Sequence, residues 1–113
     1  MNHLRREEVM SVMFEFAMFP TDKGESVSSY VSRILKIIDE SNVSYKLTPM
    51  GTIVEVETFE EALSLLNRAY RELEGDCGRI YSTIKFDIRK GTSGRLTQKI
   101  ASAEKKVGKK LRV

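Results

Sequence analysis

The spacing of apolar residues in this chain switches between two regimes, and the order of the switches leaves few folds open. From Met10 to Phe19 the residues alternate: Met10, Val12, Phe14, Phe16 and Met18 fall on one side, and Ser11, Met13, Glu15 and Ala17 on the other. A period of two with one wholly apolar face predicts a half-buried strand. Pro20 ends it, because proline cannot donate to a ladder. After Thr21-Asp22-Lys23-Gly24 the apolar residues Val27, Tyr30, Val31, Ile34, Leu35 and Ile38 recur at three and four, the stripe of an amphipathic helix. Ser26 or Ser28 is expected to cap its first turn, and Asn42 to stand just past its end.

The same alternation of regimes follows once more. Val43 to Thr58 reads as two short strands around the tight turn Thr48-Pro49-Met50-Gly51. Thr58-Phe59-Glu60-Glu61 is a capping box, and Ala62, Leu63, Leu66, Ala69, Tyr70 and Leu73 carry a second helix to Gly75. From Arg79 the period returns to two, with Ile80, Ile84, Phe86 and Ile88 expected toward the core and Tyr81, Thr83, Lys85, Asp87 and Arg89 away from it. Arg89 to Gly94 breaks the pattern. A thinner helical stripe of Leu96, Ile100, Ala103 and Val107 follows.

Strand, helix, strand, strand, helix, strand is the order of the split β-α-β unit. The expected class is therefore α+β: a ferredoxin-like βαββαβ domain with a four-stranded antiparallel sheet and an additional C-terminal helix. Residues 10–19 and 51–57 should be its central strands. We expect one domain over 1–113, with its core in 9–89 and the extra helix at about 94–108. Two helices would cover one face of the sheet and leave the other open. That open face would hold Met13, Glu15, Ala17, Ile53, Glu55, Tyr81, Thr83, Lys85 and Asp87, a mixture of apolar groups, carboxylates, an ammonium and hydroxyls. Such a face suits a second subunit, with its charges clustered in ion pairs, and it also suits the floor of a ligand site. The stripe of the terminal helix is narrow, which favours docking on a neighbouring chain.

Other chemistries are poorly supplied. Residues 1–88 hold 10 Lys/Arg against 15 Asp/Glu, a balance of −5, whereas 89–113 hold 9 against Glu104 alone, a balance of +8. A basic tail attracts nucleic acid, but this one has no aromatic ring after Phe86 for bases to stack on, so a solvated helix face is the better reading. The strand Gly51–Glu57 likewise lacks the aromatics of an RNA-recognition sheet. The single cysteine, Cys77, makes no internal disulfide, fits a reducing compartment, and has no histidine near it in sequence to activate it as a nucleophile. With His3 as the lone histidine, in an N-terminal segment expected to fray, the usual zinc ligand sets are missing. No apolar run approaches the roughly 20 residues of a membrane span. We expect a non-enzymatic, cytoplasmic protein without a cofactor, a metal, a nucleic-acid partner or a membrane.

Several stretches together resemble the thiamine-binding protein family, which has the YkoF-like variant of the ferredoxin fold. They are Glu15 to Pro20, Lys23 to Ser28 with Tyr30-Val31, Tyr45 to Thr52, Thr83 to Asp87 with Arg89 to Gly91, and, at the C-terminal end, Arg95-Leu96 with Lys105 to Gly108. One departure stands beside Glu55, where Val56 replaces a glycine common in the family. The resemblance implies a binder of thiamine or its hydroxymethylpyrimidine half, built as a dimer of dimers, a homotetramer. The polar candidates are compatible with such a ligand. Carboxylates of Glu15, Glu55 or Asp87 can accept from the aminopyrimidine amino group, and Ser26, Ser28, Thr52 or Thr83 can bond in either sense. Lys85 completes the polar set of the open face. Met50 can shape itself to a planar ring, and Gly51 lets backbone come close. The alternative is a structural or regulatory homo-oligomer with no small ligand.

Overall fold

The computed structural model describes residues 9–112; His3 lies outside them. The elements are β1 (Met10–Pro20), α1 (Ser28–Glu40), β2 (Ser44–Thr48), β3 (Gly51–Val56), α2 (Phe59–Glu74), β4 (Ile80–Lys90) and α3 (Arg95–Val107). The strands form one antiparallel sheet in the order β2-β3-β1-β4, which is the ferredoxin-like arrangement anticipated above. Its register sets the faces. Phe14 lies opposite Val54 and Phe86, and Glu15 lies opposite Ile53 and Lys85.

The alternation of β1 is the foundation of the core. Val12, Phe14, Phe16 and Met18 are buried with Val54 and Val56 of β3, Ile34 and Ile38 of α1, and Ala62, Leu65, Leu66, Ala69 and Leu73 of α2. Burying a large aliphatic side chain contributes about 1.5–3 kcal/mol, so this shared layer is what fixes the two helices to one side of the sheet. α2 starts on the expected capping box: Thr58 Oγ1 accepts from the Glu61 amide at 3.1 Å, and the Glu61 carboxylate reaches back to the Glu57 amide and the Thr58 hydroxyl. Asn42 takes the left-handed conformation past α1, at φ 59°. Arg33 forks onto Asp76 at 3.0 and 3.1 Å and clips α1 to the end of α2.

Several expectations need correction. Neither Ser26 nor Ser28 caps α1. Val27 occupies the cap position without a side-chain hydrogen bond, and Ser28 is already helical. On α2, Leu65 is buried while Leu63 and Tyr70 are exposed, so the buried stripe is rotated from the one read in the sequence. Ile84, Phe86 and Ile88 do lie on the helix side of the sheet but are 41%, 37% and 47% exposed. The cause is topological: β4 is an outer strand, and the helix pair sits over β1 and β3. Finally, the terminal helix, expected to dock on a neighbouring chain, has a seat within its own. It folds back onto β1 and β3 of its own sheet.

Candidate functional site

What holds α3 against the sheet is a polar clamp. Its N-cap residue is Gly94, at φ 68°, which has no side chain with which to satisfy the first amides of the helix. Glu55 of β3 does this from across the sheet. Its Oε2 accepts from the Arg95 amide at 2.9 Å and from the Ser11 hydroxyl at 2.6 Å, and its Oε1 accepts from the Leu96 amide at 2.9 Å. A carboxylate at a helix N-terminus is favoured by both the open amides and the helix dipole. Burial of the Glu55 carboxyl pushes its pKa up, but the bonds from Ser11, Leu96 and Arg95, with the Arg95 charge, outweigh burial and hold it below the usual carboxylate range.

The Arg95 side chain completes the clamp. Its Nε donates to Ser11 Oγ at 2.9 Å, one terminal nitrogen donates to the Ser11 carbonyl at 3.2 Å and the Asp87 carbonyl at 2.6 Å, and the other meets Asp87 Oδ2 at 2.9 Å. The planar guanidinium fork makes this multiple engagement possible. Three strands, β1, β3 and β4, therefore hold the first turn of α3.

Beyond that turn, α3 roofs a cavity of about 680 Å³. Met13, Glu15 and Ile53 supply the floor, Leu96, Ile100 and Ala103 the roof, and Lys46, Lys85, Asp87 and Leu111 the rim. The volume lies within the range of small-molecule sites, as does an apolar lining with few polar groups. Glu15 is the central polar group. Its carboxylate has Lys85 Nζ at 3.0 Å, and its side chain is 33% exposed against 80% for Lys85. The carboxylate is thus sheltered while the ammonium stays in water.

A second cavity, of about 250 Å³, lies on the other side of the sheet at the β2–β3 hairpin, between Phe16, Met18, Val31, Leu35 and the turn Thr48–Thr52. Thr48 Oγ1 closes that turn by accepting from the Met50 and Gly51 amides and donating to the Gly51 carbonyl. Gly51 serves the sheet itself: a Cβ there would stand 3.0 Å from the Phe16 carbonyl oxygen.

The residues singled out from the sequence therefore fall into separate places. Glu15, Lys85 and Asp87 meet at the cavity under α3. Met50, Gly51 and Thr52 line the hairpin cavity, with Met50 84% exposed. Glu55 is engaged in holding α3, with both oxygens bonded within the chain. Thr83, Ser26 and Ser28 line neither cavity. Val56, the residue after Glu55, packs into the core. Sequence reasoning missed the roles of Ser11 and Arg95. The signal available was a helix preceded by Gly94, which needs an acceptor from elsewhere. Cys77 lies in the core cluster; burial pushes its thiol pKa up, and Asp76 adds to this.

A family model described as thiamine-binding protein matches residues 14–104. Among curated relatives, a UPF0045 protein of Methanothermobacter thermautotrophicus is 31% identical over 83 residues, covering 73% of this chain and 84% of its own. A UPF0045 protein of Mycobacterium bovis is 29% identical over 96 residues, 85% of this chain and 94% of its own. Among solved structures, a hypothetical protein of Methanocaldococcus jannaschii superposes with a TM-score of 0.73 at 27% identity, covering 82% of this chain and 95% of that one. A Thermotoga maritima protein, described as a candidate thiamine biosynthesis/salvage protein, superposes with a TM-score of 0.66 at 22% identity, covering 82% and 98%.

Proposed function

The chain belongs to the thiamine-binding protein family, and on that premise we propose that it binds thiamine or the hydroxymethylpyrimidine half of thiamine and performs no chemistry on it. The observation that carries this reading is the cavity between α3 and the sheet, with an apolar floor and a sheltered carboxylate at its centre. An aminopyrimidine presents an amino donor beside ring-nitrogen acceptors. Glu15 accepts from the amino group, and the planar ring lies between Met13 and Ile53 below and Leu96 and Ile100 above.

Charge balance favours the pyrimidine as the group that enters. Glu15 is countered by Lys85, Asp87 by Arg95, and Lys46 adds a further positive charge at the rim. A neutral heterocycle enters such a cavity without leaving an unpaired ion behind, and the thiazolium cation stays at the open edge. Met50, Gly51 and Thr52 offer an alternative seat at the hairpin cavity. The core position of Cys77 supports binding without catalysis. The protein then acts in the cytoplasm as a carrier, buffer or sensor.

Calorimetric titration of the folded protein with thiamine and with hydroxymethylpyrimidine tests the reading. Saturable binding near one ligand per chain, weakened by Glu15→Ala and not by Met50→Ala, is the expected result. Flat titrations with both compounds would refute it.

A further inference from the structure

The positive charge of the chain gathers at its C-terminal end, where residues 89–113 carry a balance of +8 with Glu104 as the one acid. Lys105 and Lys106 lie in the last turn of α3, where cations suit the helix dipole. Lys109, Lys110 and Arg112 lie beyond it, so a solvated helix face does not account for them. Gly108, at φ 87°, ends the helix and turns the chain. Leu111 then comes back toward the sheet. Its amide donates to Glu104 Oε2 at 2.6 Å, and it lines the cavity under α3. Lys109, Lys110 and Arg112, all exposed, border a recess of about 340 Å³ that shares Leu111 with that cavity. From the sheet, Lys46 of β2 and Lys85 of β4 reach the same rim.

The charges at this mouth do not balance. Glu15 is matched by Lys85 and Asp87 by Arg95, whereas Lys46, Lys109, Lys110 and Arg112 make no ion pair with another described residue. Glu104 alone opposes them, and one of its oxygens is taken by the Leu111 amide. Like charges gathered in one place repel, and an anion among them relieves the repulsion. Thiamine with its pyrimidine on Glu15 would bring a thiazolium cation to this positive rim, which is unfavourable on its own. The thiazolium ring ends in a primary alcohol. A phosphate ester of that alcohol carries about 1.5–2 negative charges at neutral pH, which reverses the sign of what meets the rim.

We propose that the ligand is a phosphate ester of thiamine rather than the free vitamin: the pyrimidine occupies the cavity under α3, and the phosphate is received at its mouth by Lys109, Lys110 and Arg112 of the tail with Lys46 of β2. The inference rests on the reading of that cavity as the pyrimidine site and adds the chemistry of the ligand's far end. Arg112 offers a planar fork that suits two phosphate oxygens, and the lysines supply point charges. Leu111 is what places them. The three cations flank it in sequence, so its seat on the apolar lining brings them to the rim. Because they are exposed, the phosphate keeps part of its water and is not buried as an unpaired ion.

Calorimetric titration with thiamine and with thiamine monophosphate, each on the full chain, tests this. The ester should bind at least about tenfold more tightly, the value of one hydrogen bond between charged groups, and the margin should shrink as salt is raised. A variant carrying Lys109→Gln, Lys110→Gln and Arg112→Gln together should lose this preference for the ester. Lys46→Gln, at a position remote from the tail in sequence, should reduce it by itself. Circular dichroism checks the folding of both variants. Thiamine binding with the ester no tighter would overturn the inference and leave the pyrimidine reading standing, whereas flat titrations with both compounds would overturn the two together. A preference for the ester that survives the triple substitution unchanged would also overturn it.

Discussion

Replacing Glu55 by glutamine removes one negative charge and one of the two acceptor oxygens that hold the first turn of α3. The isosteric amide must turn its NH₂ either toward the Leu96 amide or toward the Ser11 hydroxyl and Arg95 amide, since all three donate to the carboxylate. The less costly choice leaves one sheltered donor without an acceptor, about 1–3 kcal/mol. Loss of the charge beside the helix N-terminus costs a further 0.3–1 kcal/mol, approximately. A total near 2 kcal/mol changes the population of open helix by roughly thirtyfold. Along the rest of its length α3 touches the sheet through a narrow apolar stripe, so this energy should appear as undocking of α3 before the rest of the molecule unfolds. Hydrogen–deuterium exchange separates the two. The amides of α3 should exchange on the order of thirtyfold faster in Glu55→Gln, while those of α2, held by Ala62, Leu66, Ala69 and Leu73, serve as the internal reference. Unchanged exchange in α3, or equal acceleration in α2, would refute the reasoning.

Acid should act on the same clamp. The folded-state pKa of Glu55 lies below its ordinary value, so its contribution is complete above the ordinary carboxylate range and is lost as pH falls through the depressed value. Exchange in α3, corrected for intrinsic rates, should stay level from about pH 7 to 5 and rise below about pH 4, and Glu55→Gln should abolish this dependence. Thr58→Ala removes the capping hydroxyl of α2 and should lower stability by about 1 kcal/mol in thermal denaturation; no measurable change would refute the cap. Lys85→Met breaks an ion pair whose ammonium is mostly in water, so stability should move by less than about 0.5 kcal/mol. Glu15→Ala should weaken pyrimidine binding about tenfold or more by calorimetry, the value of a bond to a charged acceptor.

The sequence was most legible where a single strand or helix carried its own periodicity. The alternation of Met10 to Phe19 identified β1 and its buried row, and Thr58 with Glu61 marked the start of α2. Residues whose roles depend on distant partners were less legible. Glu55 read as an open-face carboxylate because the amides it accepts from lie 40 and 41 residues further on. The row Ile84, Phe86, Ile88 read as core because alternation reports a face of a sheet and not whether a helix reaches it. Leu63 and Tyr70 belong to the apolar stripe of the sequence yet are exposed for a related reason: α2 is apolar over a wide arc, and only the position of its neighbours decides which part is covered.

The fastening of α3 also determines how the chain tolerates substitution. Ser11, Glu55, Asp87 and Arg95 sit on separate elements yet share one set of hydrogen bonds, so the effect of altering any one of them depends on the other three. Substitutions at these four positions should therefore be non-additive in their effect on stability. The outward surface of the terminal helix is free of that constraint and can accumulate change singly.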